Sequence, residues 1–260
     1  MSNYITTDGY LNGCNISNNV IYYKTDFLFN SGIWRGKNIT SYQKNAKVLV
    51  IGHSDYEITN EVVNRLKHPG LVKIFAINCS STDDIVVPIP LGITNLTNES
   101  SLHPIYGNTV IMNKVVKEPK TDTNLVYMNI NLYTHSERYL VYNIFKNKNW
   151  VTQEAANTSL MGREHFLRQI RNHTFVVCPR GNGIDTHRLW ETLYMGSIPI
   201  VRYESAYRNF TSLPILFVEN WNLVTEEFLR DKEKEIKNRV YNLEKLNLDY
   251  WIKEINSSVN

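Results

Sequence analysis

Apolar and polar residues in this chain fall into blocks. Short continuous apolar runs over 47–52, 72–77 and 85–88 are broken by a segment, 61–67, in which Val62, Val63 and Leu66 share a helical spacing. Continuous runs predict strands covered on both faces in a parallel sheet, and the spaced segment predicts a helix between two of them. After Pro90-Leu-Gly92 come a polar stretch over 95–108, an apolar segment over 110–116, and Lys117-Glu-Pro-Lys-Thr-Asp-Thr-Asn124, which has the composition of a linker. The second half repeats the alternation. Its pattern predicts a strand over 125–129, helices over 137–145 and 162–171, strands over 175–178, 198–201 and 215–218, and amphipathic helix within 225–255. The expected class is α/β, with one half over 1–120 and another over 121–260.

The densest information lies in Phe175-Val-Val-Cys-Pro-Arg-Gly-Asn-Gly-Ile-Asp-Thr-His-Arg-Leu-Trp-Glu-Thr-Leu-Tyr-Met-Gly-Ser-Ile-Pro-Ile-Val201. Pro179 cannot donate to a sheet ladder, so the strand before it should stop there. Gly181, Asn182 and Gly183 tolerate positive φ and leave backbone amides open to an anion. Asp185 or Thr186 can cap a helix that runs through Tyr194, and Gly196 suits a left-handed C-terminal position. A diphosphate on the helix N-terminus is the ligand such a unit seats. Arg188 in the first turn should dominate phosphate affinity, and Glu191, one turn on, can accept from a ribose diol. Their alternative is to pair with each other. Arg180 and Asp185 are further donor-site candidates that can instead serve loop geometry alone, and His187 can donate to a phosphate oxygen.

This run resembles the donor-site signature of exostosin-like glycosyltransferases. Similar too are Val126-Tyr-Met-Asn-Ile-Asn-Leu-Tyr-Thr-His-Ser-Glu-Arg138, like the opening strand and loop of a donor domain, and Val48-Leu-Val-Ile-Gly-His-Ser-Asp55. Within the family the chain is most similar to the small xylosyltransferases of chloroviruses and to the catalytic part of ribitol xylosyltransferases, over most of residues 45–255. The resemblance implies a GT-B fold: two Rossmann-like domains facing each other across a cleft, 1–120 on the acceptor side and 121–260 on the donor side. It implies a final helix crossing back to the first domain, with Trp251 a candidate for that contact. It further implies a UDP-sugar donor, UDP-xylose foremost, inversion at the transferred carbon, no essential metal or other cofactor, and a glycan or glycoprotein acceptor such as the fucose of a viral capsid glycan.

An inverting transfer needs a base for the acceptor hydroxyl. Ligands in open parallel sheets sit beyond the carboxyl ends of strands, which nominates the residues after the 47–52 run. Asp55 is the first candidate, His53 beside it another, and Asp26, after the 20–23 apolar run, the alternative. In the second half Asn129 and Asn131 leave the end of the 125–129 strand, where backbone amides can face the diphosphate, and Arg138 can help bind it or serve as a surface helix charge.

Composition narrows the class without adding chemistry. The 260 residues are 42% apolar and 20% charged, enough for a full core, and a net charge of +3 gives no dedicated nucleic-acid surface. No basic-then-apolar leader or membrane-length run is read, so a cytoplasmic setting without membrane insertion is expected. Cys14, Cys79 and Cys178, without a Cys-x-x-Cys pair, suit reduced thiols. No Asp-x-Asp element is present for a metal-bridged donor, Asp83 and Asp84 being adjacent. Two rivals remain at this level. A dinucleotide-dependent oxidoreductase would use Gly181 and Gly183, with Glu204 on the ribose, but has Thr186 where a third small residue belongs. A non-catalytic nucleotide-sugar binder would keep the donor site and lack a base.

Overall fold

The computed structural model describes residues 3–16, 19–96 and 102–259. Part of the polar stretch over 95–108 lies outside them. The first element, α1 (Thr7–Gly13), is capped by the Thr6 hydroxyl, which accepts from the Gly9 amide at 2.8 Å. Strand β1 (Val20–Lys24) is followed by an antiparallel hairpin, β2 (Gly32–Trp34) and β3 (Lys37–Ile39). Its two-residue turn holds Arg35 and Gly36 at positive φ, the conformation that matches strand twist. Next come β4 (Val48–Gly52), α2 (Asn60–Leu66), β5 (Lys73–Ala76) and β6 (Val86–Pro88). Together with β1 they form a parallel four-stranded sheet in the order β1-β4-β5-β6.

Helices α3 (His103–Tyr106) and α4 (Thr109–Val115) connect to the second half, so the apolar segment over 110–116 is helical and is capped by the Asn108 side chain. There β7 (Asn124–Met128), α5 (Ser136–Phe145), β8 (Val151–Gln153), α6 (Leu160–Arg171), β9 (His173–Val177), α7 (His187–Tyr194), β10 (Ile198–Arg202) and β11 (Leu216–Val218) follow in turn. Helices α8 (Glu226–Lys237) and α9 (Leu248–Ser257) complete the chain. The sheet is parallel throughout, in the order β11-β10-β9-β7-β8. Counted in its own chain order this is 2-1-3-4-5, a doubly wound, Rossmann-like arrangement whose winding reverses between β7 and β9. That reversal fixes where a ligand belongs.

All residues of β4 and β9 are buried, as continuous apolar runs demand. Alternation along the strands divides them among three cores. Val48, Val50 and Phe75 of the first sheet join Tyr127 and Val176 of the second, with Trp190 and Trp251, in one cluster shared by both halves. Leu49 and Ile51 face Val63 and Leu66 of α2, while Met128 and Phe175 face Phe145, Trp221 and Leu229.

Three details depart from the sequence reading or go beyond it. The segment expected to be a linker is fastened down: Lys120 Nζ donates to the Arg171 carbonyl at 3.0 Å and to Ser197 Oγ at 2.8 Å. The last helix reaches the segments on either side of α1: Asp249 accepts from Asn3 Nδ2 at 2.8 Å, and Asn256 accepts from the Asn15 amide at 3.0 Å. Trp251 lies in the core cluster that both halves share, packs edge-on against Phe210 and donates from Nε1 to the Lys245 carbonyl at 3.0 Å. The third detail is that α1, the hairpin and β8 carried no signal the pattern reading used. Each is short, and β2 and β3 are largely exposed.

Candidate functional site

A cavity of about 450 Å³ opens between the carboxyl ends of the two sheets. Every strand end near it contributes a segment. Asp55 follows β4, Leu91 and Thr94 follow β6, Asn129 and Asn131 follow β7, Glu154 to Thr158 follow β8, and Gly181 to Arg188 follow β9. The β7 and β9 contributions flank the winding reversal, where open α/β sheets bind ligands.

The glycine turn is built for close approach and not for unusual φ. Among glycines, positive φ occurs at Gly36, Gly92 and Gly196, and Gly181, Asn182 and Gly183 have none of it. A Cβ on Gly181 would stand 3.0 Å from Arg138 Nη2, and one on Gly183 would stand 2.8 Å from Asn78 Nδ2. Gly196 does take the left-handed C-terminal position, at φ 78°. Arg138 is 7 % exposed and lies behind the turn. It donates from Nε to the Arg180 carbonyl at 2.8 Å and from Nη1 to the Asn131 carbonyl at 3.1 Å. Burial, reinforced by the nearby Arg188 charge, pulls its pKa down to about 10. Arg138 therefore holds the two loops at the reversal together and adds positive charge beneath them. Arg180 does not line the cavity; its part in the turn is its carbonyl. Asn129, also buried, donates to the Ala155 carbonyl at 3.2 Å and so fixes the loop after β8.

Helix α7 begins at His187 with Thr186, one of the two expected residues, in the cap position, but its first turn has no side-chain cap bond. Thr186 Oγ1 is left without a partner. Among the described residues, buried side-chain atoms on four lining residues lack hydrogen-bond partners: Thr134 Oγ1, Arg163 Nε, Thr186 Oγ1 and Arg188 Nε. Buried polar atoms in native proteins are almost always paired, and each orphan costs roughly 1–3 kcal/mol. Four at one cavity mark a place where a polar ligand completes the structure. Neither Arg138 nor Arg188 has a carboxylate within ion-pair distance among the described residues. Charge at this end of the cavity therefore favours an anionic group.

Other expected donor residues have different duties. Asp185 is fully buried and takes three N–H donors: the Leu91 amide at 2.8 Å, the Thr186 amide at 2.8 Å and Trp190 Nε1 at 2.8 Å. It ties the loop after β6 to the start of α7, and both of its oxygens are taken up by N–H donors of the fold. His187 sends Nδ1 to the Gly92 carbonyl at 2.7 Å, and burial lowers its pKa, so it docks α7 as a neutral ring. Glu191 pairs with Arg163 Nη2 at 2.7 Å and not with Arg188, which leaves the Arg188 guanidinium over Phe166, 5.8 Å from the ring centre. Glu191 still lines the cavity. Glu204 does not; it pairs with Arg202 at 2.6 Å, which removes the acidic residue a dinucleotide site would need.

Of the three candidates for the base, only Asp55 reaches the cavity. Its one hydrogen-bond partner among the described residues is Asn182 Nδ2 at 3.3 Å, in the glycine turn of the other half. The remaining lining carboxylates are engaged: Asp185 and Glu191 as above, and Glu154 with the Tyr127 hydroxyl at 2.9 Å and His165 Nε2 at 3.0 Å. His53 sits in the left-handed region at φ 56°, which turns the chain so that its ring lies between Asp8, 2.6 Å from Nε2, and the Tyr22 hydroxyl at Nδ1. Trp34 packs edge-on against it at 4.8 Å. Asp26 pairs with Lys24 at 3.2 Å outside the cavity. The three cysteines are buried and free, and no described helix is long and apolar enough to cross a membrane. Among the described residues no group of three or more His, Cys, Asp or Glu is gathered to hold a metal ion.

Sequence reasoning missed Arg163, Thr134, Glu154 and Asn78. Arg163 had a readable signal, since it shares a helical stripe with Leu167 and Ile170 and is 1 % exposed. No protein-family model matches the chain, and no curated protein matches it.

Asp185 also gives a pH prediction. Burial raises its carboxyl from 3.8 to about 7, its N–H donors opposing the shift. Between those values the folded chain keeps a proton that the unfolded chain releases, so this group's contribution to stability is full below the lower value and falls as pH rises through the upper one. Urea midpoints measured across that window should fall with pH, and Asp185→Asn should flatten the slope. An NMR titration placing the Asp185 midpoint near an ordinary carboxylate value would refute the prediction.

Proposed function

We propose that this protein is a glycosyltransferase that moves a sugar from a nucleoside diphosphate, UDP-xylose foremost, onto a glycan hydroxyl with inversion and without an essential metal. The observation that carries the reading is the set of orphaned donors and uncompensated guanidinium groups at the winding reversal of the second sheet, faced by an available carboxylate from the first. In this reading the two sheets act as the two halves of a GT-B enzyme working in the cytoplasm. Arg188, Thr186, Thr134 and the amides of the glycine turn receive the diphosphate, and the Glu191 carboxylate meets the ribose. Asp55 takes the proton of the acceptor hydroxyl as its oxygen bonds to the anomeric carbon. The bond from that carbon to the diphosphate oxygen breaks, and the departing charge is neutralised by Arg188 with Arg138 behind it.

Arg188→Ala tests the donor assignment. A charge-assisted hydrogen bond contributes roughly 1.5–3 kcal/mol, so UDP should bind about 10- to 150-fold more weakly by calorimetry. NAD and NADP should not bind the parent protein. Equal UDP affinity in the variant, or a preference of the parent for a dinucleotide, would sink the reading.

A further inference from the structure

The cavity brings together loops from different sheets, and a transfer reaction needs their spacing held to a fraction of an ångström. Asn78 makes one such connection at three points. Asn78, two residues beyond β5, is 2 % exposed and adopts a left-handed φ of 49°. Its Nδ2 donates to the Ser54 carbonyl at 2.9 Å, and its Oδ1 accepts from the Asp185 amide at 2.8 Å. Its own carbonyl accepts from the Ile58 amide at 3.0 Å. The loop carrying Asp55 is therefore gripped on both sides, at Ser54 and at Ile58, by the residue that also holds the end of the glycine turn. A Cβ on Gly183 would stand 2.8 Å from that amide and would push it out of place.

The hydrogen bonds fix the orientation of the amide, since Ser54 offers only an acceptor and the Asp185 amide only a donor. An aspartate could keep one of the two contacts and would set an oxygen against the Ser54 carbonyl. A residue without the amide would keep neither. Asparagine also tolerates the left-handed backbone better than most residues.

We propose that Asn78 is a positioning residue that sets Asp55 at its working distance from the diphosphate cradle. The proposal rests on the glycosyltransferase reading for its effect on turnover, while the clamp itself stands on geometry alone. Asn78→Asp removes the bond to Ser54 with the fewest atoms changed. Asn78→Gly removes both side-chain bonds in a residue for which the backbone conformation carries no strain, and keeps the test alive if the aspartate variant does not fold.

Two measurements on the full chain decide it. Amide hydrogen exchange at Asp185 needs no substrate and should speed up about tenfold or more in Asn78→Gly, because the bond that protects it is gone. Turnover with UDP-xylose and free fucose, well below the melting temperature, should show kcat reduced about 10²-fold, the cost of a misplacement near 1 Å, with calorimetric UDP affinity nearly unchanged. A role in stability alone would lower the melting temperature and leave kcat at the parent value, and that result overturns the proposal. Unchanged exchange at Asp185 overturns it as well. If the parent neither binds UDP nor transfers xylose, the functional reading fails, and the exchange measurement still decides whether Asn78 clamps the two loops.

Discussion

Asp55→Asn should abolish sugar transfer while UDP still binds as it does to the parent. Asparagine has the same shape and can still accept from Asn182 Nδ2, so the loop after β4 and the glycine turn keep their contact. What it loses is the capacity to take a proton. Positioned general bases contribute roughly 10²–10⁴-fold, and the fall in kcat should lie in that range. Two controls separate chemistry from folding: UDP affinity by calorimetry, and the turnover of Glu154→Gln, which alters a lining carboxylate already engaged with Tyr127 and His165. Turnover of Asp55→Asn near the parent level would remove Asp55 from the role. Neither His53 nor Asp26 would then replace it, because neither reaches the cavity.

Much of the fold was legible because parallel sheets write themselves as continuous apolar runs. Val48–Gly52, Lys73–Ala76 and His173–Val177 all lie within a few residues of the expected strands. The glycine turn and Arg188 were legible for the same local reason, since a strand, a turn and a helix start follow one another in sequence. Partnership across the chain was not. Glu191 has two arginines within reach, and sequence distance favours Arg188, three residues away, over Arg163 on a different helix. The outcome depends on α6 packing beside α7, which no local pattern encodes. Asp185 reads as a helix cap until the loop after β6 arrives to donate from Leu91. His53 reads as a residue beyond a strand end until its left-handed backbone turns it away. In each case the sequence marked the side chain as a candidate, and tertiary contacts chose its partner.

Arg163→Leu should be the most damaging substitution for stability, with a loss of about 3–5 kcal/mol in urea unfolding, as for other buried pairs broken from one side. The guanidinium is 1 % exposed, pairs with Glu191 at 2.7 Å and donates to the Tyr106 carbonyl at 2.8 Å. Leucine fills most of the volume but abandons the Glu191 carboxylate, itself 4 % exposed, in a site lined by Phe166 and Tyr106. Without the guanidinium that carboxylate loses its one charged partner among the described residues and keeps only its cavity side open to water. The double variant Arg163→Leu/Glu191→Met removes both charges and should recover most of the loss, because well-packed apolar replacements of buried ion pairs are often neutral or stabilising. Recovery of stability without recovery of UDP affinity would mean that the pair is kept for the ligand: Arg163 holds the Glu191 side chain aimed at the cavity, where its carboxylate can accept from a diol. Recovery of both would strip Glu191 of that role and leave the donor site to Arg188 and the glycine turn. A double variant as unstable as the single one would place the damage in the lost Tyr106 contact, not in the orphaned carboxylate.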